Sequence, residues 1–389
     1  KNMLTTSPKH MQPFNLCLLP LLLLQAASPL LAKRTLPTGN LIVAYVDNCN
    51  NDGQEALSEA RAGVNVLIWS FISDLAIDNN GKPQIHFDLD PDCIAQVAQT
   101  LREERLQTTH LVSIGGWNAP HPNTTLTGGE WWNLWTTWNR DFIARPRLNF
   151  SGFDGIDWDL EGNNAVASEW NHFTQPCLDL MGTMSATAHQ EGFLVTLVPP
   201  ESYFDVMTSD YDRSLNHSYP EPWHPEFQYH GHNVYTYLLA KYTLDIFDLV
   251  DIQLYESYSH ATYYINQRGQ SPSHYLVEWV TNVTTGWMVN FENDPLSGLK
   301  NQMVQVDPKK LIVGFSFGNN GNGRTVFIWP KDVAAAWAQL GDTNAPRGVM
   351  FWNANLDQQH VMNGTLDPGY TLAGGFNSFL HVRDSDEAV

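Results

Sequence analysis

The chain has 389 residues, 14 of them tryptophan, and a formal net charge of −20. That length fits one large barrel or two ordinary domains. The negative charge, with no Lys/Arg-rich run, excludes nucleic acid and anionic lipid as partners. A neutral polymer is compatible with this charge but is not indicated by it.

Residues 1–32 read as a secretory signal, which predicts a secreted, extracellular protein. Lys9 and His10 precede the apolar run 16–24, which is too short to span a membrane. Ala26, Ala27 and Ser28 follow as small residues, and Ala32 offers a second stopping point. Residues 33–389 then form one domain of net charge −22, since the signal holds Lys1 and Lys9 and no acid. Three cysteines remain, Cys49, Cys93 and Cys177. An odd count outside the cell predicts one bridge and one buried thiol. No Cys/His spacing matches a metal site, so no metal is expected. Five N-x-S/T triplets, at Asn123, Asn149, Asn216, Asn282 and Asn363, fit passage through a eukaryotic secretory route.

Along the rest of the chain, short apolar runs alternate with longer amphipathic stretches. The runs are Leu41–Val46, Asn65–Phe71, His110–Ile114, Phe153–Leu160, Phe193–Val198, Leu249–Tyr255, Leu311–Phe317 and Gly348–Asn353. They are continuous and rich in Val, Ile and Leu, as strands buried on both faces must be. Between them, 91–105 has helical periodicity. So does 165–191, with Pro176 expected to break or bend it. The stretch 330–340 opens on Pro330 and stops before Gly341, the usual polarity of helix signals. Trp131, Trp132, Trp135 and Trp138 share helical spacing and are expected to pack. Eight strand-helix units predict an α/β fold, a (β/α)8 TIM barrel, as a single domain. The runner-up, a doubly wound open sheet, would carry a glycine loop after its first strand, and Asp47–Asn50 is no such loop. In a barrel, Cys49 and Cys93 lie near the upper rim and are the expected pair.

The segment 153–161 carries the chemistry. Side chains alternate faces on a strand. Asp157, Asp159 and Glu161 therefore project into the barrel, and Ile156, Trp158 and Leu160 project toward the helices. Three carboxyls stacked inside a barrel are costly to bury and repel one another, and Asp is a poor strand former. A structural reason for them is hard to find. A carboxylate metal cage is the other non-acid reading, but no His lies nearby in sequence. Crowding and burial raise the pKa of at least one group, so Glu161 is expected to hold a proton near neutral pH. Asp157 and Asp159 are expected to share one.

The run Asp154-Gly-Ile-Asp157-Trp-Asp159-Leu-Glu161 resembles the DxxDxDxE signature of glycoside hydrolase family 18. Ser113-Ile114-Gly115-Gly116 resembles its SxGG motif, Gln253-Leu254-Tyr255 its sixth-strand tyrosine motif, and Trp352 its last-strand tryptophan. These matches fall on runs three, four, six and eight in order and span the whole mature chain. The resemblance implies a secreted chitinase that cuts β-1,4 bonds between N-acetylglucosamine units with retention. It also implies that the substrate's acetamido oxygen is the nucleophile, an exception to the two-carboxylate scheme. Glu161 is then the acid and base. Asp159 orients the acetamido group and stabilises the oxazolinium, Asp157 holds a proton for Asp159, and Tyr255 donates to the acetamido oxygen. Trp352, Tyr45, Phe71, Trp117, Gln253 and Glu256 are the implied substrate-binding residues. Ser113, Asp154, Gly115 and Gly116 are supporting ones. No cofactor is required, and chitin or a chito-oligosaccharide is the expected partner of a monomer.

Glu256 departs from the pattern, since the family usually has Asn or Asp there. The span between the last two runs is too short for the extra α+β insertion of some members. An open groove and internal cuts are therefore expected. An endo-β-N-acetylglucosaminidase acting on N-glycans and a non-catalytic lectin on the same barrel are the alternatives. The presence of Glu161 argues against the lectin.

Overall fold

The computed structural model describes residues 33–163, 165, 167–215, 232–256, 259–317, 325–362, 365–367 and 369–381. Eight strands, β1 (Leu41–Val46), β2 (Val66–Ile77), β3 (Thr109–Gly116), β4 (Gly155–Leu160), β5 (Leu194–Leu197), β6 (Leu249–Gln253), β7 (Leu311–Ser316) and β8 (Gly348–Trp352), run parallel in chain order. Strand β1 pairs with both β2 and β8, which closes the barrel. Each strand matches one of the eight apolar runs, because a strand covered on both faces gains from apolar residues at every position.

Closure separates two cores. Inside the barrel, Val43, Ile68, Leu111, Val198, Ile312 and Met350 pack around the axis. Outside, Ile156, Trp158 and Leu160 of β4 join the larger core beneath the helices. The alternation along β4 thus sends its apolar residues outward and leaves the acids on the inner side.

Helices α1 (Gln54–Ala62), α2 (Pro91–Glu103), α3 (Gly128–Trp138), α4 (Gln175–Gln190), α5 (Thr236–Tyr242), α6 (Pro272–Thr285), α7 (Pro330–Leu340), α8 (Ala354–Asp357) and α9 (Leu372–Leu380) surround the strands. The helix expected over 165–191 starts only at Gln175. Pro176 initiates it rather than bending it, since the first turn needs no N–H there, and the Thr174 hydroxyl accepts the Cys177 N–H at 3.2 Å. Trp131, Trp132 and Trp135 of α3 are fully buried, with the Trp132 and Trp135 rings stacked at 4.8 Å. Strand β2 outruns its expected end at Phe71. Its outer half pairs antiparallel with Pro83–Phe87 past the last contact with β3. Among the described residues, 317–347 holds α7 alone, so no α+β insertion interrupts β7 and β8. None of the described helices is long and apolar enough to cross a membrane.

Cys49 and Cys93 form the expected disulfide, with S–S 2.04 Å and Cα–Cα 6.2 Å, and Cys177 is a buried free thiol. Residues 1–32, Asn216 and Asn363 lie outside the described residues. Asn149 and Asn282 are exposed.

Helices α1 and α8 are joined by a buried acid pair. Asp357 accepts the N–H groups of Leu372 at 2.7 Å and Ala373 at 3.1 Å, capping α9. It also hydrogen-bonds Glu59 of α1, which accepts from Gln358 Nε2 at 2.6 Å. Both side chains are fully buried. Burial pushes Asp357 up to about 6 and Glu59 well above its usual range, so the pair holds a proton in the folded state. A raised carboxyl contributes stability that is whole below its unfolded pKa and lost as pH rises through the folded one. Replacing Glu59→Gln should therefore flatten the fall in melting temperature as pH rises from about 4 through about 6. Scanning calorimetry of both proteins checks this, and parallel slopes would refute a shared proton.

Candidate active site

The inner face of β4 rises from Asp157 to Asp159 and ends at Glu161, at the carboxyl-end mouth of the barrel, where such folds place their working groups. Asp157 is fully buried. It accepts from the Tyr45 hydroxyl at 2.6 Å, from the Ser113 hydroxyl at 2.7 Å and from the Thr196 hydroxyl. Register explains the meeting, since Ser113, Asp157 and Thr196 are Cα partners across β3, β4 and β5. Burial raises the Asp157 pKa, and the three hydroxyl donors oppose that rise.

Asp159 is buried and hydrogen-bonds Glu161. The expected partner was Asp157, but the hydroxyls satisfy that carboxyl, so Asp159 turns upward instead. Gln253 Nε2 donates to Asp159 Oδ1 at 2.8 Å, reaches Glu161 Oε1 at 3.4 Å and donates to Val198 O at 2.9 Å. Burial raises Asp159 well above the usual carboxylate range, and the charges of Glu161 and Asp157 add to the rise. Burial raises Glu161 to about 7, against the hydrogen bonds from Gln253 and Asp159. The two groups retain a proton as a unit at neutral pH.

Aromatic rings line the mouth. Trp352 lies 5.5 Å from Tyr45 and 5.8 Å from Phe71, ring to ring. Tyr255 and Trp352 pack half-buried on the inner core. Tyr255 is held un-ionised by burial and by the charges of Asp159, Glu161 and Asp157. Gly115 and Gly116 bring β3 close enough to complete the wall. A Cβ on Gly115 would stand 2.6 Å from the Asp159 carbonyl oxygen, and one on Gly116 would stand 2.8 Å from the Phe71 ring. Both glycines have positive φ.

Several groups with no signal in the local sequence pattern hold this strand end. The Tyr235 hydroxyl donates to Leu160 O at 2.9 Å, and the Tyr203 hydroxyl accepts the Gly162 N–H at 3.0 Å. His121 Nε2 lies 3.3 Å from Glu161 O and stays neutral, because burial lowers its pKa to about 4. Asp251 lies two residues before Gln253 on the same face of β6. It is fully buried, no described protein group donates to either oxygen, and burial and the Asp157 charge raise its pKa well above the usual range. Its signal was the alternation Leu249, Asp251, Gln253, which matches that of β4.

Other expected residues stand apart. Asp154 precedes β4 at the opposite end, about 20 Å along the strand from Glu161. There it accepts the His110 N–H at 2.9 Å and faces Arg34 at 3.8 Å. Trp117 is 51% exposed beyond the end of β3. Both carboxylate oxygens of Glu256 are engaged by Ser202. Among the described residues no cluster of His, Cys, Asp and Glu is arranged to hold a metal ion.

The Gly115 geometry gives a test. A methyl group there meets main chain rather than a movable side chain, in a backbone region that L residues avoid. Gly115→Ala should cost more than about 2 kcal/mol in urea unfolding. A loss under about 0.5 kcal/mol would mean that β3 is free to shift.

No protein-family model matches the chain, and no curated protein sequence matches it. Solved structures do. The Legionella pneumophila ChiA C-terminal domain is 15% identical, with 84% of this chain and 100% of that one covered and a TM-score of 0.51. The catalytic domain of a family GH18 chitinase from the fern Peteris ryukyuensis is 15% identical, covers 87% and 99%, and has a TM-score of 0.50. The xylanase and alpha-amylase inhibitor protein XAIP-II from Scadoxus multiflorus is 15% identical over 88% and 98%, with a TM-score of 0.46. The chain has the closed (β/α)8 fold of the GH18 chitinases.

Proposed function

We propose that this chain is a secreted endo-acting chitinase that hydrolyses β-1,4 bonds between N-acetylglucosamine units with retention. The observation that carries the proposal is the proton held by Asp159 and Glu161, with Glu161 raised to about 7 at an aromatic-lined mouth. A general acid works best with a pKa near the operating pH.

The placement of the second carboxylate supports a nucleophile from the substrate. Asp159 lies beside Glu161 on the same strand and hydrogen-bonds it, rather than facing it across a sugar. A protein nucleophile would stand about 5 Å away on the opposite side of the scissile bond. The acetamido oxygen of the sugar fills that role. Glu161 gives its proton to the glycosidic oxygen, and the C1–O bond breaks with its electron pair on the leaving sugar. The acetamido oxygen closes on C1 to form an oxazolinium, whose charge the neighbouring Asp159 stabilises. Glu161, now a carboxylate, takes a proton from water as that water attacks C1, which restores the acetamido group. Tyr255 donates to the acetamido oxygen and holds it in line. Trp352, with Tyr45 and Phe71 behind it, forms the apolar floor on which the sugar leans. Trp117 offers an exposed ring farther along the groove.

With α7 the one element described between β7 and β8, no α+β insertion stands there among the described residues, and this favours internal cuts. The disulfide fits an oxidising compartment, and residues 1–32 serve as the export signal. Of the five N-x-S/T triplets, Asn149 and Asn282 are exposed among the described residues and are ready acceptors for glycosylation.

Glu161→Gln should lower kcat on N-acetylglucosamine oligomers by about 10²–10⁴-fold and leave oligomer binding intact. In the wild type, kcat should fall as pH rises through about 7, because the acid form is lost. Retained turnover in the variant would exclude Glu161 as the acid. The first-formed product should be the β-anomer. Oligomers stripped of acetyl groups should not be cleaved, and their cleavage at a comparable rate would exclude the acetamido nucleophile.

A further inference from the structure

The proposed reaction needs Tyr255 to stay near Glu161, yet Tyr255 lies two residues past the end of β6, in a loop. A second buried network holds that loop. Glu256, the next residue, accepts the Ser202 N–H at 2.6 Å on one oxygen and the Ser202 hydroxyl at 3.0 Å on the other. Ser202 lies in the single turn Glu201–Tyr203 that follows β5. The neighbouring Glu201 reaches back. It accepts the Ala261 N–H at 3.1 Å from the loop after β6, and it accepts the Tyr275 hydroxyl of α6. Each loop therefore sends one carboxylate across to the main chain of the other. Pro200 bridges to Gln253 at the base of the same junction, and His260 meets Asp205 at 2.7 Å beside it.

We propose that Glu256 and Glu201 form a reciprocal, proton-dependent latch between the loops after β5 and β6, in which Glu256 is a positioning residue for Tyr255 rather than a sugar ligand. The geometry leaves Glu256 no oxygen without a partner. A carboxyl one residue from Tyr255 and fixed on Ser202 fixes the tyrosine's backbone as well.

The charges around the latch make it sensitive to pH. Burial pushes Glu256 up to about 8, and the charges of Glu201 and Glu161 push in the same direction. Burial also raises Glu201 to about 7, against His260 and the hydrogen bonds from Tyr275 and Ala261. The titratable groups that face the pair are Glu161 at the end of β4, Asp205 after β5, Tyr255 and His260 after β6, and Tyr275 on α6. Below neutrality the carboxyls are uncharged and the loops close. Above about pH 8 both are anions in a largely buried space, His260 is already engaged by Asp205, and repulsion parts the loops.

This inference rests on the proposed reaction only for its kinetic readout. With N-acetylglucosamine oligomers, the wild-type KM should rise about tenfold per pH unit above about 8. Glu256→Gln keeps an acceptor for the Ser202 N–H and cannot ionise, so its KM should stay flat over that range. Glu256→Ala should show a raised KM at every pH. The fall of kcat near pH 7 should be the same in all three, because it belongs to Glu161. A KM for Glu256→Gln that follows the wild type, or a wild-type KM that does not change with pH, would overturn the latch. If no oligomer is cleaved at all, the proposed reaction fails and hydrogen exchange decides the latch alone. Corrected for intrinsic rates, exchange at residues 250–256 should speed up above about pH 8 in the wild type and not in Glu256→Gln. Equal exchange in the two proteins would refute it.

Discussion

Asp157, Asp159 and Glu161 alternate along one face of β4, and three carboxyls so placed cannot all carry charge in a barrel interior. Two unit charges at such separations in a poorly polarisable medium repel by several kcal/mol. The surroundings resolve the conflict by treating the three groups differently. Asp157 receives three hydroxyl donors, the environment that favours an anion. Asp159 receives a single amide and the neighbouring Glu161. The gradient runs from hydroxyl-rich at the base to aromatic-lined at the mouth, so the proton is kept at the upper end, where a substrate would meet it. The proton held near the mouth, on which the proposed chemistry depends, is a consequence of where the donors stand.

The barrel supplies those donors through its register. Ser113 and Thr196 reach Asp157 only because they are level with it on the two flanking strands, and Tyr45 only because β1 closes the ring. A slip of one residue on β3 or β5 would turn the hydroxyl toward the helices and leave the carboxyl unpaired. The two glycines at the end of β3 belong to the same argument. They let the strand pass the Asp159 main chain and the Phe71 ring at distances that a side chain would forbid.

Much of this was legible in the sequence, and the rest was not for definite reasons. The eight strands stood out because burial on both faces demands unbroken apolar runs, and the acids stood out because they interrupt one of those runs at every second residue. The extension of β2 past Phe71 was missed because its outer half is only partly covered and loses the unbroken pattern. Pro176 was read as a bend because the residues before it are compatible with a helix, while the Thr174 cap that starts the helix is a single-residue signal. Gln253 and Glu256 were expected at the sugar, but their amide and carboxylate are taken up by Asp159 and by Ser202. Side-chain direction at a strand end depends on the neighbouring loop, and no periodicity encodes it. Thr196, Tyr203, Tyr235 and His121 come from far along the chain and leave no local mark.

Asp251 shows how far the asymmetry extends. It occupies on β6 the step below Gln253, as Asp157 occupies on β4 the step below Asp159. Since Gln253 meets Asp159, two strands rising in the same sense bring Asp251 to the level of Asp157. Asp157 has three hydroxyl donors, and Asp251 has none among the described residues. Of two acids at one level, the one with donors gives up its proton more readily than the one without. Asp157 is then the acid at the base that ionises the more readily, directly under Asp159. The Asp157 charge helps to raise Asp159, and Asp159 in turn shares its proton with Glu161. An apolar residue in place of Asp251 would fill the barrel at lower cost. A carboxyl without donors instead resists ionisation more than Asp157 does, so the contrast between acids with donors and acids without them reaches from the mouth to the base of the ladder.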